Sequence, residues 1–380
     1  MKKRIEEDFI RHFGHEPQKI IFSPGRANII GEHTDYNEGF VLPFAIHLGI
    51  WFAFRANDSK QFNIISYNQK EKFSFSDLQE TPETQSGWKN FILQVFKVLD
   101  FDVTQGLDLV FGGNLPIGAG VSSSSALTCG WVTVLLMSHH IDLNAEHILR
   151  LAVSAERGYG VEGGIMDQYT IINGQKNHAI LLDCYDNTAK DIKIPSQGFC
   201  FYLIDTRVKH NLIETDYNQR RKECHQAVEL LKQKNTDIKS LRNATIEDID
   251  VLKNHPLLHK RALYVLQENE RVLNAIKAIQ NKDIKALGTL LYASHHGLSH
   301  SYEVSCTELD WLVEYSKTTQ EIIGARMMGG GFGGCTINLT SHPLSQKCIQ
   351  NLKDAYFKKF GIQPYIFEVK PENGILAAMD

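Results

Sequence analysis

The chain has 380 residues, 43% of them apolar and 22% charged, and a formal net charge of −4. Its length exceeds the usual single core and predicts two domains, the mild acidity gives nucleic acid nothing to hold, and no apolar run approaches the roughly 20 residues of a membrane helix. The opening Met1-Lys2-Lys3-Arg4-Ile5-Glu6-Glu7-Asp8 turns acidic where a secretory signal would turn apolar, and seven scattered cysteines without a CxxC pair read as reduced thiols of a cytoplasmic protein.

The first informative segment is Gly25-Arg26-Ala27-Asn28-Ile29-Ile30-Gly31-Glu32-His33-Thr34-Asp35-Tyr36-Asn37. Glu32, His33 and Asp35 crowd too closely to be buried unpaired without large cost. Carboxylates accept hydroxyl hydrogens in pairs and imidazole does either job, so the cluster suits a polyol. Phe40–Ile46 reads as a buried strand interrupted by Pro43. Residues 50–56 and 62–67 read as strands of an antiparallel meander, and 107–111 as another strand.

Pro116-Ile117-Gly118-Ala119-Gly120-Val121-Ser122-Ser123-Ser124-Ser125-Ala126 is a glycine turn feeding serines and then a helix. Glycines let a backbone approach phosphate, hydroxyls donate to it or ligate Mg²⁺, and a helix start attracts the anion. No Lys stands in the loop and no G-x-x-x-x-G-K-[ST] occurs anywhere, so this is not an ordinary P-loop. A buried helix follows over 125–137, and Asn144 starts a further one. Two runs fit G-x-G-x-x-G, at 158–163 and 329–334. The first follows a helix and the second precedes a strand, the wrong context for a dinucleotide site.

Gly163-Gly164-Ile165-Met166-Asp167-Gln168 offers one carboxylate in neutral surroundings. A helix N-cap is its plain role. As a catalytic base it would need a cation beside it, and Arg26 is the candidate. Strands return at 179–182 and 199–204, and a helix over 217–233 carries Cys224, Ala227, Val228 and Leu231 on one stripe. Arg220-Arg221-Lys222 reads as its solvated face, and His139-His140 and His295-His296 as helix-end or surface residues. Ser305 and Glu308 predict a capping box, and 324–339 a glycine loop plus strand. Mixed strands and helices in both halves predict α+β. The border falls near 185–200, giving domains 1–190 and 191–380.

These segments resemble, along nearly the whole chain, the galactokinase branch of the GHMP small-molecule kinases. Gly25–Tyr36 is similar to the galactokinase signature, Pro116–Ala126 to the GHMP ATP motif, and Arg326–Cys335 to the third family motif. Residues 164–168 and Tyr302-Glu303-Val304-Ser305-Cys306 are similar to further galactokinase segments. The resemblance implies a bilobal fold, a ribosomal-protein-S5-like lobe followed by a ferredoxin-like one, with ATP, Mg²⁺ and sugar between them. It implies phosphorylation of the C1 hydroxyl of α-D-galactose to galactose 1-phosphate, the entry to the Leloir route, by direct in-line transfer. It further implies Asp167 as base with Arg26 beside it, and Glu32, His33, Thr34, Asp35 and Tyr217 at the sugar. Gly118, Ala119, Gly120, Val121, Ser122, Ser123 and Ser124 would hold the triphosphate, Ser66 and Trp88 the adenosine, and Ser124 and Glu156 Mg²⁺. Gly163 stands where the family usually has Cys, and the run from Glu156 to Asp167 is one residue short, which leaves Glu162 as an alternative metal ligand. The implied partners are galactose and ATP alone, with no nucleic acid and no membrane, and the implied state is a monomer. Competing readings are a kinase of N-acetylgalactosamine or L-arabinose, since pocket shape sets that choice, and a non-catalytic galactose and ATP sensor.

Overall fold

A computed structural model describes residues 1–76, 87–116, 118–160, 163–208 and 213–379. The first half runs α1 (Lys2–Phe13), β1 (Lys19–Asn28), β2 (Phe40–Val41), β3 (Pro43–Asn57), β4 (Phe62–Ser66), β5 (Glu71–Phe75), α2 (Trp88–Val98), β6 (Gly106–Gly113), α3 (Ser123–Ser138), α4 (Ala145–Tyr159), α5 (Met166–Asn173), β7 (His178–Asp183) and β8 (Thr188–Lys193). One sheet has the order β1-β3-β6-β4-β5, and a second has β2-β7-β8. Pro43, which has no N–H to give a ladder, stands first in β3 after a one-residue break at Leu42.

The expected meander is not formed. β6 lies between β3 and β4, antiparallel to the first and parallel to the second, with Ile64 opposite Leu109. Alternation in β3 and β4 fixes which face each buries, not which neighbour it takes. β6 itself is buried from Gly106 to Gly112, the mark of a central strand. Its one carboxylate, Asp108, is matched by the amides of Asn57 (3.0 Å) and Asn63 (2.9 Å). α3 is buried nearly all round and so has no polar stripe, because it sits between the sheet and α4. α4 is capped by Asn144 as expected, its side chain accepting from the N–H groups of Glu146 and His147.

The second half runs β9 (Cys200–Asp205), α6 (Ile213–Lys232), α7 (Ile246–Ile249), α8 (Pro256–Gln280), α9 (Ile284–His296), a π-helical turn Gly297–Tyr302, α10 (Thr307–Lys317), β10 (Ile322–Met328), β11 (Cys335–Thr340), α11 (Gln346–Phe360) and β12 (Tyr365–Val369). The antiparallel order β10-β11-β9-β12 is ferredoxin-like, with α6 to α9 inserted after its first strand. The whole is a bilobal α+β fold with a ribosomal-protein-S5-like first lobe. Two sequence expectations shift here. Residues 324–328 belong to a strand, so the glycine loop is the turn of a β10–β11 hairpin. The residue capping α10 is Cys306, one later than Ser305, and no side chain caps that helix.

Two long-range contacts prepare the site. α8 grips the loop between β1 and β2: Glu268 accepts from the Gly31 N–H at 3.0 Å, Asn269 accepts from the Phe40 N–H at 2.9 Å, and Tyr264 donates to the Glu32 carbonyl at 2.9 Å. The C-terminal tail returns to brace α5, with the Gly374 and Ile375 N–H groups on the carbonyls of Gly174 (2.7 Å) and Ile171 (2.8 Å).

Candidate active site

Arg26, near the end of β1, and Asp167, in the first turn of α5, meet across 141 residues of sequence. Arg26 Nε donates to Asp167 Oδ1 at 2.7 Å and Nη2 donates to Oδ2 at 3.0 Å. Such two-pronged pairs fix orientation as well as charge. The remaining nitrogen, Nη1, donates to the Gly120 carbonyl at 2.5 Å, and Ser122 Oγ donates to Asp167 Oδ2. Burial opposes the charge on Arg26, but Asp167, Glu32 and Asp35 outweigh it and raise its pKa further. Ile165, not Asp167, occupies the N-cap of α5, so the carboxylate faces a cavity of about 380 Å³ instead of the helix backbone.

One side of that cavity is the loop after β1. Glu32, His33 and Asp35 line it, together with Tyr217 of α6. Burial, together with the charges of Asp167 and Glu32, pushes the Asp35 carboxyl up to about 6. Gly164 leaves the space that Asp35 fills, since an added Cβ would collide with its carboxylate. Glu32 Oε1 is engaged from the second half, accepting from the Gly329 N–H at 2.9 Å and from Arg326 Nη2 at 3.2 Å. Burial drives the His33 pKa down to about 3, so the ring is neutral. Both its nitrogens are occupied, Nδ1 by Tyr36 Oη at 2.8 Å and Nε2 by the Gly330 carbonyl at 3.2 Å. His33, expected at the sugar, lines the cavity with its ring while both its nitrogens bond within the protein. Thr34 departs from expectation. It is fully buried, its hydroxyl bonded to the carbonyls of Gly31 and Phe40, and it shapes the turn without lining the cavity.

The opposite side is built of backbone. Gly118, Gly120, Val121, Ser122, Ser123 and Ser124 line the cavity, while Ala119 is fully buried behind them. Gly118 (φ +79°), Gly120 (φ +70°) and Ser122 (φ +58°) all lie in the left-handed region, which turns the loop back on itself before α3 begins. Ser123 and Ser124 also line a second cavity of about 250 Å³, with Ser66, Trp88, Phe111 and Leu115. Two compartments thus share one serine wall.

Glu156 of α4 is 3% exposed and lines the first cavity. Its Oε2 accepts from Ser125 Oγ at 3.1 Å, while Oε1 has no hydrogen-bond partner among the described residues. Burial, with the charge of Asp167 adding to it, lifts its pKa to about 8. The neighbouring Gln168 also lines this cavity, and its buried Oε1 has no hydrogen-bond partner among the described residues. Orphaned buried oxygens beside serine hydroxyls fit a hard divalent cation, which takes one or two carboxylates and completes its shell with phosphate oxygens. Glu162, the alternative ligand, lies outside the described residues.

Sequence reasoning missed several residues. Arg220 is no solvated face residue: its Nε donates to the Tyr302 carbonyl at 2.7 Å and its Nη2 to the Glu303 carbonyl at 2.8 Å. His295 lies in the last turn of α9, at the helix end as expected, but is buried there, its Nδ1 accepting from the Met327 N–H at 3.2 Å. Arg326, fully buried, donates to the carbonyls of Asn28 and Ile29 and ties the hairpin to β1. No local pattern marks these contacts, because the Tyr302, Glu303, Met327, Asn28 and Ile29 partners are distant in sequence.

Comparison with known proteins identifies the family. The GHMP kinase N-terminal domain matches residues 90–175 and the GHMP kinase C-terminal domain matches 275–358, so fold and cavity define a two-lobed GHMP kinase. The galactokinase galactose-binding signature matches residues 7–56. The galactokinase of Thermosipho africanus is 37% identical over 93% of this chain and 98% of its own length, and that of Clostridium beijerinckii is 35% identical over 97% of each. The crystal structure of Lactococcus lactis galactokinase complexed with galactose superposes with a TM-score of 0.90, at 31% identity over 98% of both chains. The mevalonate kinase of Methanococcus jannaschii, at 17% identity and a TM-score of 0.64, shares the fold alone. The chain belongs to the galactokinase family.

Proposed function

We propose that the protein transfers the γ-phosphoryl group of ATP to the C1 hydroxyl of α-D-galactose, giving galactose 1-phosphate and ADP. The observation that carries this reading is the Arg26–Asp167 pair, set where the serine-glycine wall meets the acidic loop of one cavity. Asp167 accepts the C1 proton as that oxygen attacks the γ-phosphorus. The new O–P bond forms in line with the one that breaks, and ADP leaves without a phosphoenzyme. Arg26 offsets charge on the phosphoryl oxygens, and its bond to the Gly120 carbonyl ties this cation to the phosphate loop. Glu32, Asp35 and Tyr217 orient the sugar, and Gly118–Ser124 hold the triphosphate. Ser66 and Trp88 line the compartment assigned to adenosine. Ser124 and Glu156 would hold Mg²⁺, which when bound offsets the charge on the phosphates.

We divide the chain into lobes at residues 1–190 and 191–380. The passage from β8, in the first half's sheet, to β9, in the second's, supports this border. A monomer acting in the cytoplasm is the proposed state. All seven cysteines are free, and no helix among the described residues is long and apolar enough to cross a membrane.

Asp167→Asn tests the mechanism. Measured by ADP release, it is expected to lose on the order of 10²–10⁴-fold in kcat, the usual range for a positioned base, while calorimetry still detects galactose binding. Wild-type turnover in that variant overturns the assignment. The wild-type enzyme on galactose, N-acetylgalactosamine and L-arabinose decides the sugar, since a higher kcat/KM on either rival would replace galactose as substrate.

A further inference from the structure

Beside the ion pair runs a buried string of polar atoms that the transfer step leaves unused. Cys224 Sγ lies 3.0 Å from Tyr302 Oη, which lies 2.9 Å from Tyr36 Oη. Tyr36 Oη lies 2.8 Å from His33 Nδ1, and His33 Nε2 lies 3.2 Å from the Gly330 carbonyl. The proton directions follow from the end that cannot donate. The Gly330 carbonyl only accepts, so Nε2 carries the hydrogen. The buried ring is neutral, so Nδ1 is bare and Tyr36 donates to it. That uses Tyr36's one proton, so Tyr302 donates to Tyr36. Burial lifts the Cys224 thiol to about 11, leaving it protonated to donate to Tyr302.

The string ends on a loop that lines the cavity through Gly329 and Gly330. Other contacts hold the same loop: at its far end Thr206 donates through its N–H and its hydroxyl to the Gly334 carbonyl, at 3.0 and 2.9 Å. Glu32 Oε1 accepts from the Gly329 N–H at 2.9 Å, and the Phe332 N–H donates to the Val304 carbonyl at 2.8 Å. Val304 follows the Tyr302–Glu303 backbone that Arg220 clamps. A neutral imidazole has two tautomers, and only one of them can hold a carbonyl at Nε2.

We propose that Tyr36 and Tyr302 are positioning residues for phosphoryl transfer: acting through His33, which they fix as the Nε2–H tautomer, they hold the Gly329–Gly330 loop against the cavity. The consequence for rate rests on the kinase reading above; the consequence for the loop does not.

Hydrogen–deuterium exchange of the full chain without ligands, read on peptides covering residues 326–335, is the test, paired with steady-state kinetics on galactose. Tyr36→Phe keeps the ring and removes the donor to His33. It is expected to speed exchange at residues 329–334 and to lower kcat about 10-fold or more, as small displacements at a reacting site do, with both KM values moving less. Tyr302→Phe acts one step further back and is expected to shift exchange the same way by less; it carries the test alone if Tyr36→Phe does not fold. His33→Gln can donate to Gly330 and accept from Tyr36, so it should restore slow exchange, where His33→Leu does not. Wild-type exchange in both Phe variants, with His33→Leu raising only the galactose KM, overturns the proposal and makes His33 a direct sugar contact. Altered exchange with no galactose turnover in the wild type would instead leave the relay standing and sink the substrate assignment.

Discussion

The two walls of the cavity are built by opposite means. The phosphate wall is one contiguous stretch, 118–124, and its shape is a matter of backbone torsions at Gly118, Gly120 and Ser122. The sugar wall is assembled from side chains. His33 and Tyr36 meet Tyr217 and Tyr302, with ring centroids of His33 5.3 Å from Tyr217 and 5.1 Å from Tyr302. Glu32 and Asp35 share the loop of His33 and Tyr36, Gly330 comes from the β10–β11 turn, and α8 and that hairpin hold the loop in place. A wall made of local torsions should fail through strain, whereas one made of packed side chains should fail through charge and alignment.

Arg26 joins the walls, so its removal should hurt most. Arg26→Ala strands Asp167 and frees the Gly120 carbonyl together. It is expected to cut turnover on the order of 10²-fold or more, and an ADP-release rate within a few-fold of wild type would separate the two walls after all. Gly120→Ala addresses the phosphate wall only. At φ +70° a side chain costs roughly 1–2 kcal/mol, and the Cβ would also stand 3.4 Å from the Met328 carbonyl. If the strain is relieved by shifting the loop, the KM for ATP should rise about 5–30-fold with galactose affinity unchanged. A matching loss of galactose affinity would show that the walls are mechanically one.

The smallest effect concerns the sugar wall and depends on pH. The Asp35 carboxyl, raised from 3.8 to about 6, is ionised in the fold above that value and protonated below it. Galactose affinity measured by calorimetry should therefore drop about tenfold between pH 7 and pH 5, and Asp35→Asn should flatten that profile. Stability runs the other way. The neutral carboxyl favours the fold most below its ordinary pKa, and that contribution is lost as pH rises through about 6. A profile unchanged in Asp35→Asn would assign the titration to another group.

The difference between the walls also decides what could be read in advance. The glycine-serine turn, the buried helix after it and the Asn144 cap are local, and the sequence states them outright. The pairing of Arg26 with Asp167 was legible for another reason: an isolated carboxylate in neutral surroundings demands a cation. β4's parallel neighbour was not legible, since alternation names a face and not a partner. Nor were the contacts of Arg220 and His295, which are made only where the π-helical turn and the hairpin fold over them.

The order of residues by itself determined a turn that can bring backbone N–H groups to a phosphate, because torsional preference and helix polarity act between neighbours. Tertiary structure alone decided that Glu32 and His33 spend hydrogen bonds on the loop across the cavity. Those partners stand 297 positions away, and hydrogen bonds are settled by distance in space, to which local sequence preferences are blind.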